Sequence, residues 1–149
     1  MNPKGGVPAL ALQDGEVLTE VSAILEHLAE CAPDRRLLPK TGSMERYRVQ
    51  EWVGFIGTEL HKWFDPLSDG LMPDAARRLA VQYLRRRLSY LVGDESTVAD
   101  AYCFTILNWA RFHRIDLSEY GAVQAFMQNV SNRPMVHKAM KAEGLRHAA

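Results

Sequence analysis

Cysteine is scarce in this 149-residue chain. Cys31 and Cys103 are too few for a disulfide framework and lack the spacing that holds a metal ion. That scarcity excludes a stapled secreted scaffold and favours a reducing, cytoplasmic setting. An excess of either charge is lacking too, because 18 lysines and arginines balance 18 aspartates and glutamates at a net charge of zero. No field of the chain's own draws it to nucleic acid or to an anionic membrane. Long apolar runs are also missing: Ala101 to Ala110, bounded by Asp100 and Arg111, is about half of the ~20 residues a membrane span needs. Pro3, Gly5, Gly6 and Pro8 interrupt the opening residues, so they form no signal-peptide core. There is no Gly-rich phosphate loop, no His-Glu-x-x-His pattern, no repeat and no low-complexity tract. No metal, nucleic-acid or membrane partner is expected.

What is present is a chain 47% hydrophobic, enough for one globular domain or a domain plus part of another. Val7 to Leu12 is a short apolar stretch, Asp14-Gly15 is a hairpin-type turn, and Glu16 to Glu20 returns as a second strand. Ile24, Leu25 and Leu28 keep helical spacing from Ser22 until Cys31-Ala32-Pro33-Asp34 breaks it, which completes a ββα unit over 1–32. The stretch from Pro33 to Ser43 has no apolar periodicity and reads as a linker. The rest, 44–149, reads as helical.

Trp52, Val53, Ile56, Leu60, Trp63 and Phe64 predict one long helix from Met44 to Phe64, ended by Pro66. A second opens at Asp74, with Leu79, Ala80, Tyr83, Leu84 and Leu88 on one face and Arg77, Arg78, Arg85, Arg86 and Arg87 turned mostly to water. Thr97-Val98-Ala99-Asp100 predicts a capping box: the threonine oxygen accepts from the N3 amide while the Asp100 carboxylate reaches back to the Thr97 N–H. The helix it opens is apolar on nearly every face, hence central. Two shorter amphipathic helices, Ala122 to Val130 and Pro134 to Glu143, close the chain.

Asn2-Pro3-Lys4-Gly5-Gly6-Val7-Pro8-Ala9-Leu10, then Leu18-Thr19-Glu20 and Ala23-Ile24-Leu25, resemble the glutathione S-transferase family. Trp52, Glu59-Leu60-His61-Lys62, Thr97 to Tyr102 and Arg133-Pro134-Met135-Val136 resemble its bacterial, beta-class branch. The resemblance covers nearly the whole chain. It implies a mainly α protein: the ββα unit is the second half of a thioredoxin-like glutathione-binding domain, and 44–149 is the all-α C-terminal domain. In this reading the first half of that domain is missing, and with it the catalytic cysteine, serine or tyrosine, so none of the residues here is assigned catalysis. Glutathione is implied as co-substrate without a cofactor, a small hydrophobic electrophile as second substrate, detoxification as the role, and a homodimer as the assembly. A competing reading is a helical binding or dimerisation module derived from such a transferase.

Carried over position by position, Val7-Pro8 resembles the family's cis-proline turn, whose backbone pairs with the cysteinyl part of glutathione. Glu20 and the amide of Val21 resemble the group that seats the γ-glutamyl end at a helix N-terminus. His61 and Lys62 match positions that turn polar groups toward glutathione, and Trp63, Phe64 and Tyr102 border the electrophile pocket. Three departures stand out. Val21 replaces the usual serine, with Ser22 left as a cap. Gly54 replaces an asparagine. The segment between Leu88 and Thr97 is short, as if by an internal deletion. Outside the resemblance, Cys31 lies at the wrong end of its helix for activation, Cys103 reads as a small core hydrophobe, and Arg85-Arg86-Arg87 as a solvated face.

Overall fold

Turn chemistry builds the first element. The structure is a computed structural model that describes residues 2, 5–68, 72–88 and 97–145, with backbone alone at 65, 68 and 85–88. Strands β1 (Ala9–Ala11) and β2 (Val17–Thr19) pair antiparallel, with Leu10 opposite Leu18. Leu12 closes the turn, its carbonyl accepting the Gly15 N–H at 3.1 Å and its N–H donating to the Glu16 carbonyl at 2.8 Å. Gly15 sits at φ 90°, a state that side chains disfavour. Asp14 reinforces the loop by accepting the Glu16 N–H at 3.0 Å.

Helix α1 (Val21–Glu30) follows at once. Glu20, not Ser22, occupies the N-cap position, and Ser22 lies inside the first turn. The buried residues are Ile24 and Ala29, whereas Leu28 stays 48% exposed.

Ser43 opens α2 (Met44–Phe55) by accepting the Arg46 N–H on its hydroxyl at 3.2 Å. The rod continues through a π-helical stretch, Ile56–His61, into α3 (Lys62–Phe64), and Pro66 falls in a 3-10 turn, Asp65–Ser68. The apolar stripe is buried at Val53, Ile56, Leu60 and Phe64, with Trp52 and Trp63 packed at its margin. In α4 (Asp74–Leu88), Ala80 and Leu84 are buried but Leu79 is half exposed. Arg77 is also a correction: its guanidinium donates to the His113 carbonyl at 2.7 Å, satisfying a backbone acceptor at the end of the next helix. The side chains of Arg85, Arg86, Arg87 and Leu88 and the connection from 89 to 96 lie outside the described residues.

The helix α5 (Val98–Phe112) is the axis around which the others pack. Its capping box forms, with the Thr97 N–H donating to the Asp100 carboxylate at 2.6 Å and the Thr97 hydroxyl accepting from Ala99 N–H at 3.2 Å. Val98, Cys103, Phe104, Ile106, Leu107 and Ala110 are all buried. Helices α6 (Gly121–Ser131) and α7 (Pro134–Ala142) complete the bundle, and Phe104, Val130 and Met140 form a smaller core between them and α5.

The segment over 33–43 is tied down. It opens with a 3-10 turn, Pro33–Arg35, and Leu37 accepts the Val98 N–H at 3.1 Å, one of the donors a helix start leaves unpaired. Arg46, buried in α2, donates to Glu30 of α1 at 2.9 Å and to the Pro39 carbonyl at 3.4 Å, and lies 3.6 Å from Glu26. This polar clamp joins α1, the connecting segment and α2, and leaves Arg46 Nε as a buried nitrogen without a hydrogen-bond partner among the described residues.

Candidate functional site

Where the ββα unit meets α2 and α5, an open cleft of about 510 Å³ forms. Three irregular pieces of backbone shape it. The Val7–Pro8 bond is cis, and Val7 stands 90% exposed at the rim. Glu20 adopts φ 72°, unfavourable for a side-chain-bearing residue, at the N-terminus of α1. The π-helical turn presents Gly57, Thr58 and His61 to the same space.

The cleft gathers residues that the sequence scatters. Val7, Pro8, Glu20, Val21 and Ser22 line one wall, and Gly54, Gly57, Thr58, His61 and Tyr102 line the other. The α1 N-terminus, which has no side-chain cap among the described residues, adds a positive dipole end suited to an anionic group. A Cβ at Gly54 would meet nothing within 4 Å, so the wall is open at that position.

Beneath it, His61 and Tyr102 form a pair that sequence reading did not join: His61 Nδ1 and Tyr102 Oη are 2.8 Å apart across 41 residues. Trp109, two turns beyond Tyr102 on α5, meets the His61 ring edge-to-face at 4.9 Å and 77°. Tyr102 is therefore a wall residue of the His61 cleft. Its spacing of seven from Trp109 was the available signal, but nothing in the sequence shows that this face meets His61.

Lys62, Trp63 and Phe64 are not part of this cleft. Lys62 is exposed on the outer side of the rod. Trp63 stacks on Tyr83 at 4.5 Å and 10°, its face taken by α4. Phe64 is 1% exposed, packed near Trp109 and His113, and is core rather than pocket wall. Burial pushes the Cys103 thiol up to about 12, with the Asp100 charge adding to the effect, so it stays protonated. Cys31 is exposed, its sulphur 3.7 Å from His27 Nε2. Burial first, and the Arg77 charge second, hold the His113 imidazole below its ordinary value, against a backbone hydrogen bond with Leu67. Among the described residues no group of three or more histidines, cysteines or carboxylates is placed to hold a metal, and no helix is long and apolar enough to cross a membrane.

Comparison with known proteins gives a consistent result. Residues 73–134 match the family model for the glutathione S-transferase C-terminal domain. Glutathione S-transferase GstA of Escherichia coli O157:H7 is 42% identical over 156 residues, spanning 98% of this chain and 78% of that protein. A glutathione transferase of Methylococcus capsulatus superposes with a TM-score of 0.92 at 46% identity, covering 97% of this chain and 77% of that one. A sphingomonad glutathione S-transferase solved in complex with glutathione superposes at 0.89 with 37% identity and the same coverage.

Proposed function

The chain belongs to the glutathione S-transferase family, and from that premise we propose that its cleft binds reduced glutathione and presents the sulphur to a small hydrophobic electrophile, in a detoxifying conjugation. The single observation that carries this reading is the convergence of the cis Val7–Pro8 turn, the Glu20 helix entrance and His61 on one cleft. Each offers what one part of the tripeptide needs. The backbone of Val7 pairs with the cysteinyl peptide. The Val21 amide receives the γ-glutamyl carboxylate, and the Glu20 carboxylate its ammonium. His61 stands on the opposite wall, where a polar group meets the sulphur.

The site's own residues supply binding and orientation. In conjugation the thiol gives its proton to solvent, and the thiolate then forms a carbon–sulphur bond while the electrophilic carbon releases its leaving group, such as halide, with the electron pair of the broken bond. Rate enhancement depends on how well the site favours that thiolate. Glutathione is a co-substrate and no cofactor takes part. A reducing cytoplasm, where glutathione stays as the thiol, and a homodimer complete the proposal.

Thermal unfolding with and without reduced glutathione tests it. A ligand at 100 times its Kd adds about 2.7 kcal/mol, which for this size raises Tm by roughly 5 to 10 °C. The rise is expected in the wild type and reduced in Glu20→Ala. Conjugation of an aromatic electrophile is followed in parallel by absorbance. A cooperative melt indifferent to glutathione overturns the reading, and a rise without conjugation identifies a binding module.

A further inference from the structure

We infer that Tyr102 is a positioning residue: its phenol donates to His61 Nδ1 and holds the imidazole with its proton on Nε2, a donor for an electron-rich sulphur in the cleft. This deepens the proposed function and rests on it for the identity of the sulphur, whereas the tautomer is a property of the chain without ligand.

The direction of the 2.8 Å contact follows from the two groups. A phenol oxygen shares its lone pair with the ring and accepts weakly, while its O–H donates well. An unprotonated imidazole nitrogen is a strong acceptor. A neutral imidazole carries one N–H, so a ring that accepts at Nδ1 keeps its proton at Nε2.

Packing fixes the rest. Tyr102 is 8% exposed and anchored in α5, so its hydroxyl is a stationary donor. Trp109, on the same face of α5, sets the tilt of the ring through its edge-to-face contact. Gly57 lies beside the phenol, close enough that a Cβ there would stand 3.5 Å from Tyr102 Oη, an ordinary van der Waals contact. A donor held in place favours a thiolate over a thiol or thioether, because a hydrogen bond to a charged acceptor is the stronger one.

Long-range proton–nitrogen spectra of the five histidine rings read the tautomer directly, with His61 assigned through His61→Gln. The expected result is a proton on Nε2 and an Nδ1 signal displaced by its hydrogen bond, moving to the free-imidazole position in Tyr102→Phe while the amide spectrum stays folded. A proton on Nδ1, or an Nδ1 signal identical in both proteins, overturns the inference. Should Tyr102→Phe not fold, the wild-type ring decides alone by the position of its proton and of its Nδ1 signal. Calorimetry adds a readout that a purely structural role would not move. Tyr102→Phe is expected to weaken reduced glutathione about tenfold and to leave S-methylglutathione unchanged. Equal losses for the two ligands count against Tyr102. A wild type that binds neither removes the glutathione reading, and the ring spectra still decide the tautomer.

Discussion

The ββα unit and the helical region are built in opposite ways. In the first, Ile24 and Ala29 are the buried apolar side chains among the described residues, the hairpin strands are exposed or half-buried, and the backbone carries a cis bond and the Glu20 strain. In the second, α5 alone buries apolar side chains along its full length and the capping is regular. Stability thus lies in the bundle, and irregular, sparsely buried backbone supplies one wall of the cleft. The contrast teaches that the binding wall is held against a rigid partner rather than by a core of its own.

The largest expected effect tests that contrast directly. Leu107→Ala, in a side chain 1% exposed, should cost about 3 kcal/mol in urea unfolding, while Val17→Ala in the hairpin should cost under about 0.5 kcal/mol. Similar losses at the two sites would erase the distinction.

Next comes the clamp between the regions. Arg46→Met keeps the aliphatic stem but removes the contacts with Glu30, Glu26 and the Pro39 carbonyl, and should cost about 1–2 kcal/mol. Amide exchange should accelerate in α1 more than in α5. Uniform acceleration would mean that Arg46 does not hold the ββα unit specifically.

A smaller effect of opposite sign is expected at Glu20. Glycine tolerates φ 72°, so Glu20→Gly should stabilise the fold by about 1 kcal/mol while weakening glutathione, measured by denaturation and calorimetry on one sample. A variant that loses both stability and ligand would show that the conformation carries no strain.

The smallest effect is a pH dependence inside the helical region. Burial and Arg77 depress His113 in the folded state, so the unfolded chain takes up the proton first. The stability from neutral His113 is full above the ordinary histidine value of about 6.5 and is lost as the pH falls through the lower folded value. Unfolding free energy should therefore decline between pH 7 and pH 5, and His113→Gln should flatten part of the slope. An unchanged slope would assign the decline to other groups.

Much of the fold was legible because it is local. The Asp14-Gly15 turn, the Thr97 cap and the stripe through Val53, Ile56 and Leu60 each depend on residues within a few positions of one another. The misses share a different cause. Leu28 and Leu79 have helical spacing but stay about half exposed among the described residues, Arg77 finds a carbonyl 36 residues away, and Phe64 turns inward instead of bordering a pocket. Of the candidate site, Val7, Pro8, Glu20, Val21 and His61 do meet in one cleft, whereas Lys62 and Trp63 face elsewhere on the same rod. The π-helical turn carries no pattern that distinguishes it from an α-helix.

By itself, then, the sequence determined the order and type of the elements and the family they compose, because periodicity, caps and turns are short-range effects of residue type. Only the tertiary structure decided that Tyr102 and Trp109 grip His61 and that Arg46 clamps two regions together. Each depends on the angle at which two helices cross, and that angle is set by the packing of the whole core.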